Sequence, residues 1–230
     1  MKIKAKQEKD LHFKLLILGE SSIGKTCLIE RYVKNSFQEN HINTIGIDIQ
    51  MKRLEINNCD INIAINDTAG QERYRAVTKN IYKEADGILV GFDLTNKNTF
   101  EQVSYWIEQI EANKSKDYPL SLVLFGNKCD MKEDIIIKDN DIKSMKMKYN
   151  LDYFETSAKD GTNVQKIFEY LIKIIIKTRR LFDKIGLSSN IPIDDIIIKE
   201  KEIQKLEIKY SSKKTKKNHV VYDIKKLIIL

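Results

Sequence analysis

Eight consecutive residues constrain this chain more than any other stretch: Gly19-Glu20-Ser21-Ser22-Ile23-Gly24-Lys25-Thr26 fits the pattern G-x-x-x-x-G-K-[ST] at every fixed position. The unbroken apolar run Leu15-Leu16-Ile17-Leu18 before it reads as a buried strand, and residues 27–33 after it read as a helix. Strand, loop and helix therefore come in the order that a phosphate-binding loop requires. The two glycines let the backbone turn tightly and aim its N–H groups at phosphate oxygens, and the helix adds its positive N-terminal end. Lys25 is placed to reach the β- and γ-phosphates. Thr26 is placed to put its hydroxyl on Mg²⁺, a hard cation that takes oxygen ligands. The candidate nucleotide contacts here are Gly19, Ser21, Ser22, Ile23, Gly24, Lys25, Thr26 and Cys27.

Along the chain, apolar runs alternate with helical patterns. Residues 12–18, 87–93, 121–126 and 153–155 read as strands, and residues 45–51 and 61–66 as the arms of a β-hairpin turning at Asn57-Asn58. Residues 100–110 read as a helix behind the capping-box spacing of Thr99 and Gln102. A second helix spans 139–148, and a closing one runs from Thr162 to about residue 177 behind Thr162 and Gln165. Its apolar stripe is Val164, Ile167, Phe168, Leu171, Ile172 and Ile175. Alternation of this kind predicts an α/β fold: a mostly parallel six-stranded sheet with helices on both faces, binding its ligand at the carboxyl ends of the strands. Residues 1–10 read as a flexible N-terminus, 11–180 as the nucleotide-binding domain and 181–230 as a tail, entered through the breaker-rich segment 186–192. Within that tail, residues 196–206 carry a pattern compatible with an amphipathic helix.

The net charge of +7 suggests nucleic acid, yet lysine and glutamate are mixed along most of the chain and the clear basic cluster is confined to Lys213, Lys214, Lys216 and Lys217. A solvated tail is the expectation, with no nucleic-acid partner. The three cysteines, Cys27, Cys59 and Cys129, have no zinc or disulfide spacing and point to a reducing compartment. No signal peptide and no membrane-length apolar run is visible. His12, His41 and His219 are assigned no catalytic role, and Trp106 is assigned to packing.

A phosphate loop alone does not identify the base. Asn127-Lys128-Cys129-Asp130 matches N-K-x-D at a strand end, where a carboxylate can accept from N1–H and the exocyclic N2–H₂ of guanine, groups that adenine does not offer. Together with Glu155-Thr156-Ser157-Ala158-Lys159, this segment resembles the guanine-recognition pair of the Ras superfamily of small GTPases. Within it, Ile45-Gly46-Ile47-Asp48 and Asp67-Thr68-Ala69-Gly70-Gln71-Glu72-Arg73-Tyr74-Arg75 resemble stretches of the Rab branch, over residues 11 to about 178. The resemblance implies a P-loop NTPase fold of the small G-protein type and a slow GTPase that switches between GTP and GDP in vesicle traffic. It implies that Asn127 braces the loop, that Lys128 and Lys159 lie against the base, and that the Ala158 N–H, beside Ser157, meets O6. Asp130 is then the specificity residue, Phe37 packs edge-on against guanine, and Thr26 and Thr44 ligate Mg²⁺ with Asp67 acting through water. Gly70 contacts the γ-phosphate, and Gln71, the catalytic glutamine, orients the attacking water with Lys25, Thr44 and Gly70 around it. Expected partners are an exchange factor, a GTPase-activating protein and effectors, on a monomeric chain.

The sequence departs from the Rab pattern at three surface positions and in its C-terminal cysteines. Ile49, Asn66 and Ile81 stand where that branch has aromatic side chains that contact effectors. No cysteine follows Cys129, so the chain as given offers no prenylation site, and Lys2 in place of glycine excludes N-myristoylation. Cytoplasmic localisation is expected, with weak or indirect peripheral attachment to endomembranes through the basic cluster at most. The alternative reading is a GTP-binding scaffold with negligible turnover and non-standard effectors.

Overall fold

The computed structural model describes residues 10–38, 47–68, 79–116 and 119–201. Strand β1 (Leu11–Leu18) runs into the phosphate loop and helix α1 (Lys25–Lys34). Strands β2 (Ile47–Ile56) and β3 (Cys59–Thr68) form the hairpin, followed by α2 (Lys79–Glu84) and β4 (Gly87–Asp93). Helices α3 (Lys97–Glu101) and α4 (Val103–Asn113) lead to β5 (Ser121–Asn127), α5 (Asp139–Tyr149), β6 (Asp152–Glu155) and α6 (Val164–Thr178). The chain then makes 3₁₀ turns at Phe182–Ile185 and Ile193–Asp195 and ends its described part in β7 (Lys199–Lys201). Among the described residues no helix is long and apolar enough to cross a membrane.

The sheet order is β6-β5-β4-β1-β3-β2-β7. Strands β1, β3, β4, β5 and β6 are parallel, and the antiparallel pairs are β2 with β3 and β2 with β7. The continuous apolar run of β1 follows from burial on both faces. Phe13, Leu15 and Ile17 join α1 and α6 residues Leu28, Phe168 and Ile172 in one core, while Leu16 and Leu18 join Val103, Trp106 and Ile107 of α4 in the other. All six residues of the expected α6 stripe are buried, since they recur on the helical face turned to the sheet. Asn57 and Asn58 both take positive φ (48° and 61°), as a two-residue hairpin turn demands.

Three features differ from the sequence expectation. The sheet has a seventh strand, because β7 pairs with the outer edge of β2. The expected tail does not leave the domain at residue 181: Phe182, Ile185 and Ile196 are buried in the core formed by α1 and α6. Asn57 fastens this segment, donating from Nδ2 to the Ile185 and Gly186 carbonyls at 2.9 Å each. Over its described part the expected amphipathic helix from 196 is replaced by an irregular stretch (196–198) and β7, and residues 202–206 lie outside the described residues. Neither expected capping box forms. Helix α3 starts earlier, capped by the Asn96 side chain on the Asn98 N–H at 3.1 Å, while the Thr99 hydroxyl donates to the Asn96 carbonyl and accepts from the Asp93 N–H. Helix α6 is entered through Asn163 in the left-handed region (φ 54°) without a side-chain cap.

Candidate functional site

The site lies where the strand order reverses. The carboxyl end of β1 sits between those of β3 and β4, and β5 lies beside β4, so the carboxyl ends of these four strands lie together at one end of the sheet. Gly19, Ser22 and Gly24 take φ of 140°, 65° and 90°, so the loop curls around its own backbone N–H groups. At Gly24 a Cβ atom would lie 2.5 Å from Asn127 Nδ2, and the left-handed φ itself favours glycine there. Ser21 and Ser22 lie toward the open side of the loop, while Ile23 is fully buried beneath it. Cys27, one turn into α1, is half-buried.

Lys25 is 5% exposed, and its ammonium donates to the Gly19 carbonyl at 3.0 Å and to the Glu20 carbonyl at 2.8 Å. Burial lowers its pKa from 10.5 to about 8, against the opposing pull of Asp67 and Glu20. The Thr26 hydroxyl donates to Asp67 Oδ2 at 2.5 Å, joining the start of α1 to the carboxyl end of β3. Asp67 is 1% exposed. A hydroxyl and a buried carboxylate side by side, next to a phosphate cradle, fit a small hard cation that completes its shell with phosphate and water oxygens. The described residues hold no cluster of three or more His, Cys, Asp or Glu able to bind a metal by themselves.

Asn127 joins the two halves of the site. Its Nδ2 donates to the Ile23 carbonyl at 2.7 Å, and its Oδ1 accepts from the Thr156 hydroxyl and from the Ala158 N–H, both at 3.3 Å. One buried side chain therefore fixes the phosphate loop relative to the loop after β6. Lys128, at φ 68°, pairs its ammonium with Asp93 Oδ2 at 2.5 Å. Asp130 follows in a turn closed by the Met131 N–H on the Lys128 carbonyl, and among the described residues its half-buried carboxylate takes no side-chain partner. Ser157 is fully buried, with its Oγ accepting from the Asp160 N–H, whereas Lys159 is exposed. Phe37 packs half-buried against the core under α1. Thr44, Gly70 and Gln71 lie outside the described residues.

The structure adds residues that motif reading passed over. Arg31 donates from Nε to the Ala158 carbonyl at 3.0 Å and from Nη2 to the Lys159 carbonyl at 2.6 Å, anchoring that loop to α1. Asp93, besides holding Lys128, accepts at Oδ1 from the Thr95 N–H and hydroxyl. Trp106, read as packing, also donates from Nε1 to Glu20 in the phosphate loop at 3.1 Å. A basic residue one turn before the end of α1 was the visible signal for Arg31, but its partners lie 127 and 128 positions away. Cys129 is not activated: burial raises its pKa to about 11. Of the positions departing from the Rab pattern, Ile49 and Asn66 are directly opposite on the hairpin, and Ile81 is half-buried against the α4 core.

Comparison with known proteins agrees with this geometry. The Ras family model matches residues 14–177. The chain is 38% identical over 173 residues to Ras-related protein Rab-10 of Diplobatis ommata, covering 75% of this chain and 86% of that relative. It is 39% identical over 161 residues to Ras-related protein RIC1 of Oryza sativa subsp. japonica (70% and 79%) and 38% identical over 167 residues to human Ras-related protein Rab-8B (73% and 80%). With a phosphate loop, a threonine–aspartate pair and an N-K-x-D turn held on one mostly parallel sheet, the chain belongs to the Ras family and is a Rab-like small GTPase.

Proposed function

We propose that the protein binds GTP and GDP with Mg²⁺ and hydrolyses GTP slowly, acting as a switch in membrane trafficking. The observation that carries this reading is the Asn127 bridge, which holds a guanine-type turn and a phosphate cradle at one fixed separation. Asp130 accepts the two guanine N–H donors, with the Ala158 N–H turned to O6 and the Lys128 and Lys159 stems along the base. The long 3.3 Å bond from Ala158 to Asn127 leaves that N–H able to share a second acceptor. Burial makes the Lys25 charge costly before nucleotide binds, and phosphate oxygens offset that cost. Thr26, Thr44 and Asp67 would hold Mg²⁺, which neutralises charge building between the β- and γ-phosphates. Gly70 donates to the γ-phosphate, Gln71 orients water for in-line attack, and Phe37 borders the base. Release of the γ-phosphate frees the segment around Thr44, which changes the surface seen by regulators and effectors.

Unassisted turnover is expected at about 10⁻⁴ per second, with roughly 10³- to 10⁵-fold acceleration when a partner donates an arginine. Single-turnover hydrolysis of GTP in Mg²⁺, with Gln71→Leu alongside, tests it. Slow wild-type turnover that falls at least tenfold in the variant supports the switch. Tight GTP binding with no turnover in either protein, even with cell extract added, would show a scaffold instead.

A further inference from the structure

Trp106 is the chain's one tryptophan, and it stands on α4 with its ring in the core and its polar tip at the phosphate loop. The side chain is 4% exposed, shares a core with Leu16, Leu18 and Val103, and is met edge-on by the Tyr105 ring at 5.7 Å between centroids. A buried indole N–H needs an acceptor. Here the acceptor is Glu20 Oε1 at 3.1 Å, 86 positions earlier in the chain. An acidic side chain in an anion-binding loop repels its ligand unless it is turned away, and the indole holds this one toward α4.

The main chain of the same residue serves the ligand side. The Gly19 and Glu20 carbonyls accept from the Lys25 ammonium at 3.0 and 2.8 Å. Gly19 itself lies so close to β4 that a Cβ there would sit 2.4 Å from the Gly91 carbonyl. The loop is thus held at Gly19 by β4, at Glu20 by α4 and at Ile23 by Asn127.

We propose that Trp106 and Glu20 form a positioning pair for phosphate binding: the indole fixes the Glu20 side chain, and through it the carbonyls that seat the Lys25 ammonium where a β-phosphate arrives. The loop then meets its ligand already ordered, and binding does not bear the cost of ordering it. Neither residue touches the nucleotide; both act through Lys25. This inference rests on the reading of the site as a guanine-nucleotide site, and it adds two residues that no fixed position of the loop motif specifies.

Affinities of the full chain for GDP and GMP, measured by competition against a fluorescent guanine nucleotide in Mg²⁺, test the pair. GMP lacks the β-phosphate that Lys25 serves. Trp106→Phe and Glu20→Ala should each weaken GDP binding about tenfold, the low end of what a hydrogen bond to a charged acceptor supports, and change GMP binding by less than about threefold. The double variant should lose no more than either single one, because both cut the same bond. Glu20→Gln, whose amide oxygen still accepts from the indole, should lose less than about threefold. Unchanged GDP affinity in either folded single variant, additive losses in the double, Glu20→Gln as weak as Glu20→Ala, or equal losses for GDP and GMP would each overturn the proposal; the last would mark a loosening of the whole domain. If Trp106→Phe does not fold, Glu20→Ala against Glu20→Gln decides by the same comparison of GDP with GMP. Wild-type protein that binds neither nucleotide would overturn the guanine-nucleotide reading itself, and this inference with it.

Discussion

The most informative residue is Lys25, because its charge is held where burial opposes it. With a folded pKa of about 8, below the ordinary 10.5, the nucleotide-free protein binds fewer protons there than the unfolded chain between those values. Its stability should therefore rise with pH from about 8 to about 10.5 and carry the full cost below pH 8. Phosphate oxygens reverse that balance by favouring the charged form. Binding of GDP at pH 8, where its terminal phosphate is already deprotonated, should then take up about half a proton through Lys25. Calorimetry in two buffers of different ionisation heat measures it, and zero uptake at pH 8 contradicts the placement of Lys25 on the phosphates. Residues of this kind were legible in the sequence because ligand chemistry fixes both their type and their spacing: the loop, Asn127 and Asp130 fall together at strand ends as expected. Arg31 and Asp93 were not legible, since their task is to hold other site residues and their partners are set by the fold rather than by local spacing.

At the scale of elements, the strands were readable because β1, β4 and β5 are buried on both faces and leave continuous apolar runs, and the hairpin because its turn needs two residues of positive φ. The segment after α6 was not. Phe182, Ile185 and Ile196 follow neither the strand nor the helix period, and Gly186 to Pro192 looks like a linker, yet the hydrogen bonds from Asn57 and the β7 ladder bind the segment to the hairpin. Its consequence is energetic. Ile196→Ala removes a side chain that is 1% exposed and should lower stability by about 2–5 kcal/mol, read from the midpoint of urea denaturation at unchanged slope. A change within about 0.5 kcal/mol would mean that the segment behaves as a loose tail.

For the whole molecule, one sheet does two things at its two ends and edges. The carboxyl ends of its parallel strands gather the phosphate loop, Asp67, Asp93 and Asn127 into a single site, and its outer edge is capped by β7 from the same chain. The distance between cradle and turn is therefore a property of the sheet, transmitted through Asn127, and base choice depends on what the turn presents at that distance. Competition binding tests this most directly: wild-type protein loaded with a fluorescent guanine nucleotide is displaced by GDP or by ADP, and the same is done with Asp130→Ala. The account predicts that the wild type prefers GDP by about 10²- to 10⁴-fold and that the variant loses most of that preference while its sheet stays folded, because two hydrogen bonds to a charged acceptor contribute about 3–6 kcal/mol. A variant that still selects guanine as strongly as the wild type would contradict it.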